Sequence, residues 1–386
     1  MMDNIWLTSA LWIALALASS LISIRLALSV ALIEIMMGAL GGNIIGMPLT
    51  PWINYLAGFG AILLTFLAGA EVDMAVVRRN LGASVGIGFV SFLFPYLGCM
   101  LAARYLLGWP WPQAQIAGIS LSTTSVAVVY AVMVETGLNK TELGKIILAA
   151  CFITDLGTVL ALGIVFASFT VWLIAFAAAT IVVAAVLPKV GPWFFKWVGR
   201  RVSEPEIKFL LLILFALGGF ATAVGSEAVL PAYVIGMALA PAFQNDPELP
   251  HRMRVIAFAV LTPFYFLKAG SLIEAKALIT GAGLIGLFLG LKIASKFIGI
   301  LPLTRYYRFD KREGMYTTLL MSTGLTFGSI SALYGLTNHI IYQEQYTILL
   351  TAVIASAVVP TVIAQKWFLP KTGTEMKGIR PHRTQH

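Results

Sequence analysis

Residues 119–129 read ISLSTTSVAVV, and residues 319–329 read LLMSTGLTFGS. Each sets a knot of hydroxyl side chains in mid-run of a long apolar stretch: Ser122, Thr123, Thr124 and Ser125 in the first, Ser322, Thr323 and Thr326 beside Gly324 in the second. A chain crossing a bilayer has no water for freed backbone groups, so polar breaks persist there only inside packed protein or along a cavity. Hydroxyls and glycine also serve ordinary helix packing in membranes. Two breaks at matching places in two half-chains favour the other reading, a transporter's binding site.

The rest of the chain is membrane-like. Of its 386 residues, 59% are hydrophobic and 11% charged, with a mean hydropathy of +0.90; a soluble domain carries roughly a quarter charged residues. The apolar runs match a bilayer core in length. They are continuous rather than alternating, which excludes a transmembrane β-barrel. Hydropathy and breakers predict thirteen spans, at 5–24, 26–46, 52–70, 82–103, 113–135, 144–166, 168–187, 207–225, 227–241, 254–272, 277–303, 314–336 and 345–365. The basic, aromatic stretch 189–206 reads as a helix lying in the interface. The N-terminus carries Asp3 in place of a basic leader and is expected to be a retained first span.

The net charge of +9 would suit nucleic acid, but the basic residues sit in short loops rather than on one face, so that partner is excluded. With the N-terminus outside and thirteen alternating spans, the loop Lys and Arg residues collect on the inside. Only Arg104 and Lys276 then fall outside. That asymmetry predicts a protein of the cell (plasma or inner) membrane, N-terminus out and C-terminus in. An odd span count also permits two inverted five-helix repeats, spans two to six and nine to thirteen, each with its polar break in the fourth helix. Cys99 and Cys151 lie in apolar runs and read as small buried residues. His251, His339, His382 and His386 fall in loops or the tail, none placed to hold a metal.

Few ionisable residues fall deep in the spans, where each costs several kcal/mol if unpaired. Asp155, in Cys151-Phe152-Ile153-Thr154-Asp155-Leu156, is central to the sixth span. A carboxyl out of water favours its protonated form and a bound cation favours the ionised one. Competition of the two for one carboxylate suffices for exchange. Lys296 lies in the eleventh span with Lys292 one turn away on the same face; either could pair with Asp155, and Lys296 is the favoured partner. Lys268 either snorkels from a span end or shapes the cavity, Glu34 reads as a structural group in the second span, and Glu227 as solvated at a span edge.

By these residues the chain resembles the monovalent cation:proton antiporter-2 family, which holds NapA-type sodium/proton antiporters and Kef potassium-efflux proteins. The resemblance covers roughly 5–365. It rests on Phe66-Leu67-Ala68-Gly69-Ala70-Glu71-Val72-Asp73, on Thr123-Thr124-Ser125-Val126-Ala127-Val128, on Thr154-Asp155, on Pro263 to Gly270, and on Lys296-Phe297-Ile298-Gly299 ahead of Arg312-Glu313. It implies an all-α membrane fold with two crossing broken helices. Core helices (about 82–166 and 277–365) would move, elevator-like, against a dimerisation scaffold (about 5–70 and 168–272) in a homodimer. It also implies that Asp155 binds the ion and the proton with Thr154, Thr124 and Ser125 nearby; Thr123 joins them as a candidate. Ser322, Thr323, Lys296, Lys268 and Glu34 are candidates for support. Na+ or K+ and protons would be the cargo, Na+ favoured, with no cofactor.

Two residues depart from the family pattern. NapA-type members carry a second Asp where this chain has Thr154, and such members are electrogenic; one site charge predicts electroneutral one-for-one exchange. Lys268 stands where many members have a small residue. The G-x-G-x-x-G at Gly281 to Gly286 falls inside an apolar span, and no cytosolic nucleotide domain of the Kef kind is expected. A passive channel would need a continuous pore with rings of charges or carbonyls. An intramembrane protease would need a second facing carboxylate or a mid-span His, so no enzyme is expected.

Overall fold

The computed structural model describes residues 4–26, 29–70, 81–138, 141–166, 171–199, 201–224, 228–246 and 248–370. Glu71 to Asp73, Glu227, His382 and His386 lie outside the described residues. The fold is all-α. Among the described residues ten helices are long and apolar enough to cross a membrane, joined by two shorter apolar ones, Val30–Ile45 and Val229–Gln244.

In chain order the first helices are α1 (Ile5–Leu26), α2 (Val30–Leu40, prolonged by a π-turn to Ile45) and α3 (Pro51–Ala70). Four follow that carry much of the site: α4 (Leu81–Tyr105), α5 (Trp111–Ser122), α6 (Val126–Glu135) and α7 (Glu142–Val165). Then come α8 (Val171–Val198), α9 (Pro205–Ala223), α10 (Val229–Asn245), α11 (Glu248–Ile256) and α12 (Thr262–Ser271). The chain closes with α13 (Ala275–Thr280), α14 (Ala282–Tyr306), α15 (Lys311–Met321), α16 (Thr326–Thr337) and α17 (Gln343–Trp367).

The stretch expected to start an interface helix at 189 is instead the end of α8, which runs through Pro188 and Pro192 to Val198. Each proline removes one helix hydrogen bond, but in apolar surroundings the other backbone groups have no partners outside the helix, so it continues.

Packing falls into two groups. Leu63 and Phe66 of α3 share a cluster with Leu210 and Leu214 of α9 and Ile235 and Leu239 of α10. Ile87, Ile147, Ile300, Tyr316 and Ala364, from α4, α7, α14, α15 and α17, form another. A third joins the two groups, with Ile35, Tyr233 and Tyr265 against Ile119, Phe327 and Leu350. Within the first group α2 and α12 touch backbone to backbone. A Cβ on Gly270 would run into the carbonyl oxygen of Ile35, and one on Gly38 into that of Leu267.

Candidate functional site

The site is built where α5–α6 and α15–α16 are interrupted. At Thr123 the backbone leaves the helix for an extended conformation (φ −65°, ψ 155°), and at Leu325 it turns sharply (φ −152°, ψ −74°). Four helix ends therefore meet inside the protein, and each leaves carbonyls or amides that the helix cannot satisfy. The hydroxyl residues at the breaks answer this. Ser122 Oγ donates to Ile119 O (2.8 Å) and Thr123 Oγ1 to Ser120 O (3.2 Å), closing the end of α5. At the end of α15, Ser322 Oγ donates to Thr318 O and Thr323 Oγ1 to Leu320 O, both at 2.7 Å. The interruptions also brace each other: Thr124 Oγ1 donates to Met321 O (2.8 Å), and Ser125 N donates to Thr323 Oγ1 (3.4 Å). Thus a run of Ser and Thr in an apolar helix is what lets it stop there.

Glycines bring the neighbouring helices close enough to take part. A Cβ on Gly88 of α4 would lie 2.6 Å from Ala150 O of α7, and one on Gly157 of α7 2.8 Å from the Phe92 ring of α4. That close approach lets Thr154 Oγ1, already turned to Ala150 O, reach Gly88 O, both at 3.0 Å. On the other side of α4, Gly98 faces Ser295 of α14, and Gly299 of α14 faces Val90 and Phe94 of α4. Lys296 of α14 is thereby delivered, fully buried, to the first interruption. Its Nζ donates to Ser91 Oγ (2.7 Å), Ser122 O (3.0 Å), Thr124 Oγ1 (3.0 Å) and Thr123 O (3.5 Å). An ammonium ion set against the carbonyl end of a half-helix is placed where that end's partial negative charge favours it.

Asp155 follows Thr154 on α7. It is 2% exposed, and its Oδ1 has no hydrogen-bond partner. Among the described residues no ion pair joins it to Lys296. The pairing expected from sequence is absent in this arrangement because the Lys296 ammonium is already engaged by two hydroxyls and two carbonyls. The structure brings together Thr123, Thr124, Ser125, Ser322, Thr323, Lys296 and, through Gly88 and α4, Thr154. It does not bring Lys268 or Glu34 to them. Both are buried, at 9% and 3% exposure, on α12 and α2.

Sequence reasoning missed Ser91, a single hydroxyl in an otherwise apolar stretch of α4. No periodicity or spacing marks it. It also missed Ser356 of α17, which accepts from Lys292 Nζ at 2.9 Å.

This geometry can be set beside known proteins. The family description "Sodium/hydrogen exchanger, transmembrane" matches residues 11–368. The chain belongs to the sodium/hydrogen exchanger family. The members of this family are transporters rather than enzymes, as the resemblance implied. The probable Na(+)/H(+) antiporter 3 of Methanocaldococcus jannaschii is 29% identical over 351 residues, covering 87% of this exchanger-family chain and 88% of that protein. The probable Na(+)/H(+) antiporter GerT of Bacillus cereus is 25% identical, over 76% of this chain and 80% of that one. Among solved structures, the sodium proton antiporter MjNhaP1 from M. jannaschii at pH 8 shares the fold, with a TM-score of 0.72 and 16% identity over 94% of this chain and 98% of that one.

Proposed function

We propose that this member of the sodium/hydrogen exchanger family is a secondary monovalent cation/proton antiporter in which cation and proton compete for Asp155. The observation that carries the reading is a buried carboxylate oxygen without a partner on α7, one residue from Thr154, in a protein interior where oxygens of the first interruption already hold an ammonium ion. Such an oxygen is costly to leave bare and is satisfied by a proton or by a dehydrated cation. Thr154, Thr124, Thr123 and Ser125 supply neutral oxygens around the cation's route, and Ser322, Thr323 and Lys296 hold the interruptions in place. The relatives named as Na(+)/H(+) antiporters favour Na+, with K+ the alternative cargo.

The finer reading follows the sequence. Thirteen spans, in two inverted five-helix repeats whose broken helices cross, place the N-terminus outside and the C-terminus inside the cell membrane. The two packing groups support a moving core of about 82–166 and 277–365 that slides against a scaffold of about 5–70 and 168–272, in a homodimer. With Thr154 in place of a second acid, one cation exchanges for one proton and no net charge moves.

The test uses proteoliposomes with an imposed pH gradient. Adding Na+, K+ or Li+ dissipates the gradient in the native protein and does nothing in Asp155→Asn. Clamping the voltage leaves a one-for-one exchange unchanged. An electrogenic carrier would instead feel roughly 2.3 kcal/mol per charge per 100 mV. Persistence of the response in Asp155→Asn would refute the role of this carboxylate, and a voltage-driven response would refute electroneutrality alone.

A further inference from the structure

Lys292 has no part in the exchange described so far, yet it is fully buried. It lies one turn before Lys296 on α14 and reaches the second interruption. Its Nζ donates to Ser356 Oγ (2.9 Å), and Ser356 Oγ in turn donates to Val353 O (2.7 Å). The hydroxyl hydrogen is thus spent on a helix carbonyl, and the oxygen is left to accept from Lys292. A Cβ on Gly324 would fall on the Lys292 ammonium; the same point is 2.8 Å from Thr123 Oγ1 and 3.3 Å from Ser356 Oγ. Thr123 Oγ1 has likewise given its hydrogen to Ser120 O. The second interruption therefore carries glycine because a lysine head from another helix occupies its side-chain space, lodged between hydroxyls that present lone pairs.

We infer that Lys292 is a positioning residue of the antiport site: a resident positive charge at the second interruption that weakens the hold of the site on both competing cations, the metal ion and the proton. The ionisable groups around it are Cys99 on α4, Lys296 on α14 and, beyond Lys296, Asp155 and Cys151 on α7. From α17 and the two interruptions it meets hydroxyls and backbone. Among the described residues, Lys296 thus stands between Lys292 and the Asp155 carboxylate and interacts with both. A buried charge one turn from Lys296 acts, through it, on every cation at the carboxylate, whatever its identity, because the interior screens it weakly. Lys296 steadies the first interruption; Lys292 sets how readily the site lets go.

The inference rests on the antiport reading, and its tests separate the two. In proteoliposomes, Lys292→Met is expected to lower the cation KM about tenfold and to move the acidic limb of the pH profile about one unit upward, the effect of one weakly screened charge. Lys292→Arg keeps both near native values. A fall in maximal rate with KM and pH limb unchanged would overturn the inference while leaving antiport standing; loss of exchange in native protein would instead remove the antiport reading.

A pairwise test needs only relative rates. Gly324→Ala is expected to cost tenfold or more in the native background and little in Lys292→Ala, where the colliding ammonium is gone. Equal costs of Gly324→Ala in both backgrounds would overturn the contact on which the inference stands, even if Lys292→Met proved too unstable to assay.

Discussion

Thr124 is the residue whose loss says most about the site, because one oxygen serves both interruptions. Its hydroxyl donates to Met321 O at 2.8 Å and accepts from Lys296 Nζ at 3.0 Å, with Ser91 Oγ 3.4 Å away. Thr124→Val keeps the side-chain shape and removes both functions. A buried carbonyl left without its donor costs about 1–3 kcal/mol, and a hydrogen bond to a charged donor contributes about 1.5–3 kcal/mol. Side-chain hydrogen bonds between membrane helices average nearer 0.6 kcal/mol, because partners find alternatives. Here Met321 O is the last carbonyl of α15 and faces the interruption, so alternatives are few; Lys296 keeps three other acceptors and loses less. A net destabilisation of about 2–4 kcal/mol follows from these terms. It would be read as a fall of several °C in the thermal unfolding of the detergent-solubilised protein, with gradient-dissipating exchange reduced tenfold or more. Thr124→Ser retains the hydroxyl and should lie close to native in both. Native stability and native exchange in Thr124→Val would refute the idea that this oxygen ties the two breaks together.

Three further substitutions probe the frame around the site. Gly270→Val drives a side chain into the Ile35 carbonyl on α2; overpacking of this kind costs about 1–3 kcal/mol, and a lower unfolding temperature in detergent checks it. Arg252 reaches Glu204 at 2.5 Å and Glu206 at 3.5 Å, tying α11 to the start of α9. Arg252→Met should lower stability and leave the cation KM unchanged, since neither acid is near the interruptions. Tyr233 of α10 donates to Phe152 O of α7 (3.2 Å), and its ring meets Phe327 edge-on at 5.9 Å, so one side chain links the proposed scaffold to the helix bearing Asp155. If the core slides against the scaffold, Tyr233→Phe removes about 0.5–1.5 kcal/mol from this arrangement alone. The population then moves towards the other state by up to about tenfold, visible as altered labelling of a cysteine introduced beside the site.

Much of this fold was legible because a bilayer leaves the chain few options. Long apolar runs must be helices, and the hydroxyl knots at 122–125 and 322–326 could persist in them only at interruptions; both interruptions lie there. The limits of α8 were less legible. Lys189, Lys196 and two prolines resemble an interface segment in sequence, yet the backbone's need for internal hydrogen bonds carries the helix to Val198. The partners of Lys296 were also hidden. A carboxylate is the partner that charge suggests, but the carbonyl ends of a broken helix are equally good acceptors and leave no mark in the sequence. Ser91 joins them through helix contacts set by glycines such as Gly98 and Gly299, whose meaning lies in what they let approach.

The direction in which the hydroxyls point explains why such a site takes cations. Ser122, Thr123, Ser322, Thr323 and Ser356 each give their hydrogen to a carbonyl three or four residues earlier, and Thr124 gives its own to Met321 O across the crossing. With the hydrogens so committed, the oxygens offer lone pairs to whatever lies between the helices, and the two lysine heads are found against them. An anion brought there would meet oxygens of its own sign. The devices that let the helices break are therefore the same ones that give the interior its preference for positive charge, and in the proposed mechanism Asp155 converts that preference into a choice between a metal ion and a proton. On this reasoning, replacing break hydroxyls with alanine should weaken cation dependence by the loss of neutral oxygens and leave proton binding at Asp155 comparatively intact. That would appear as a higher cation KM without a matching displacement of the acidic limb. Equal displacement of both would assign the hydroxyls a purely structural part.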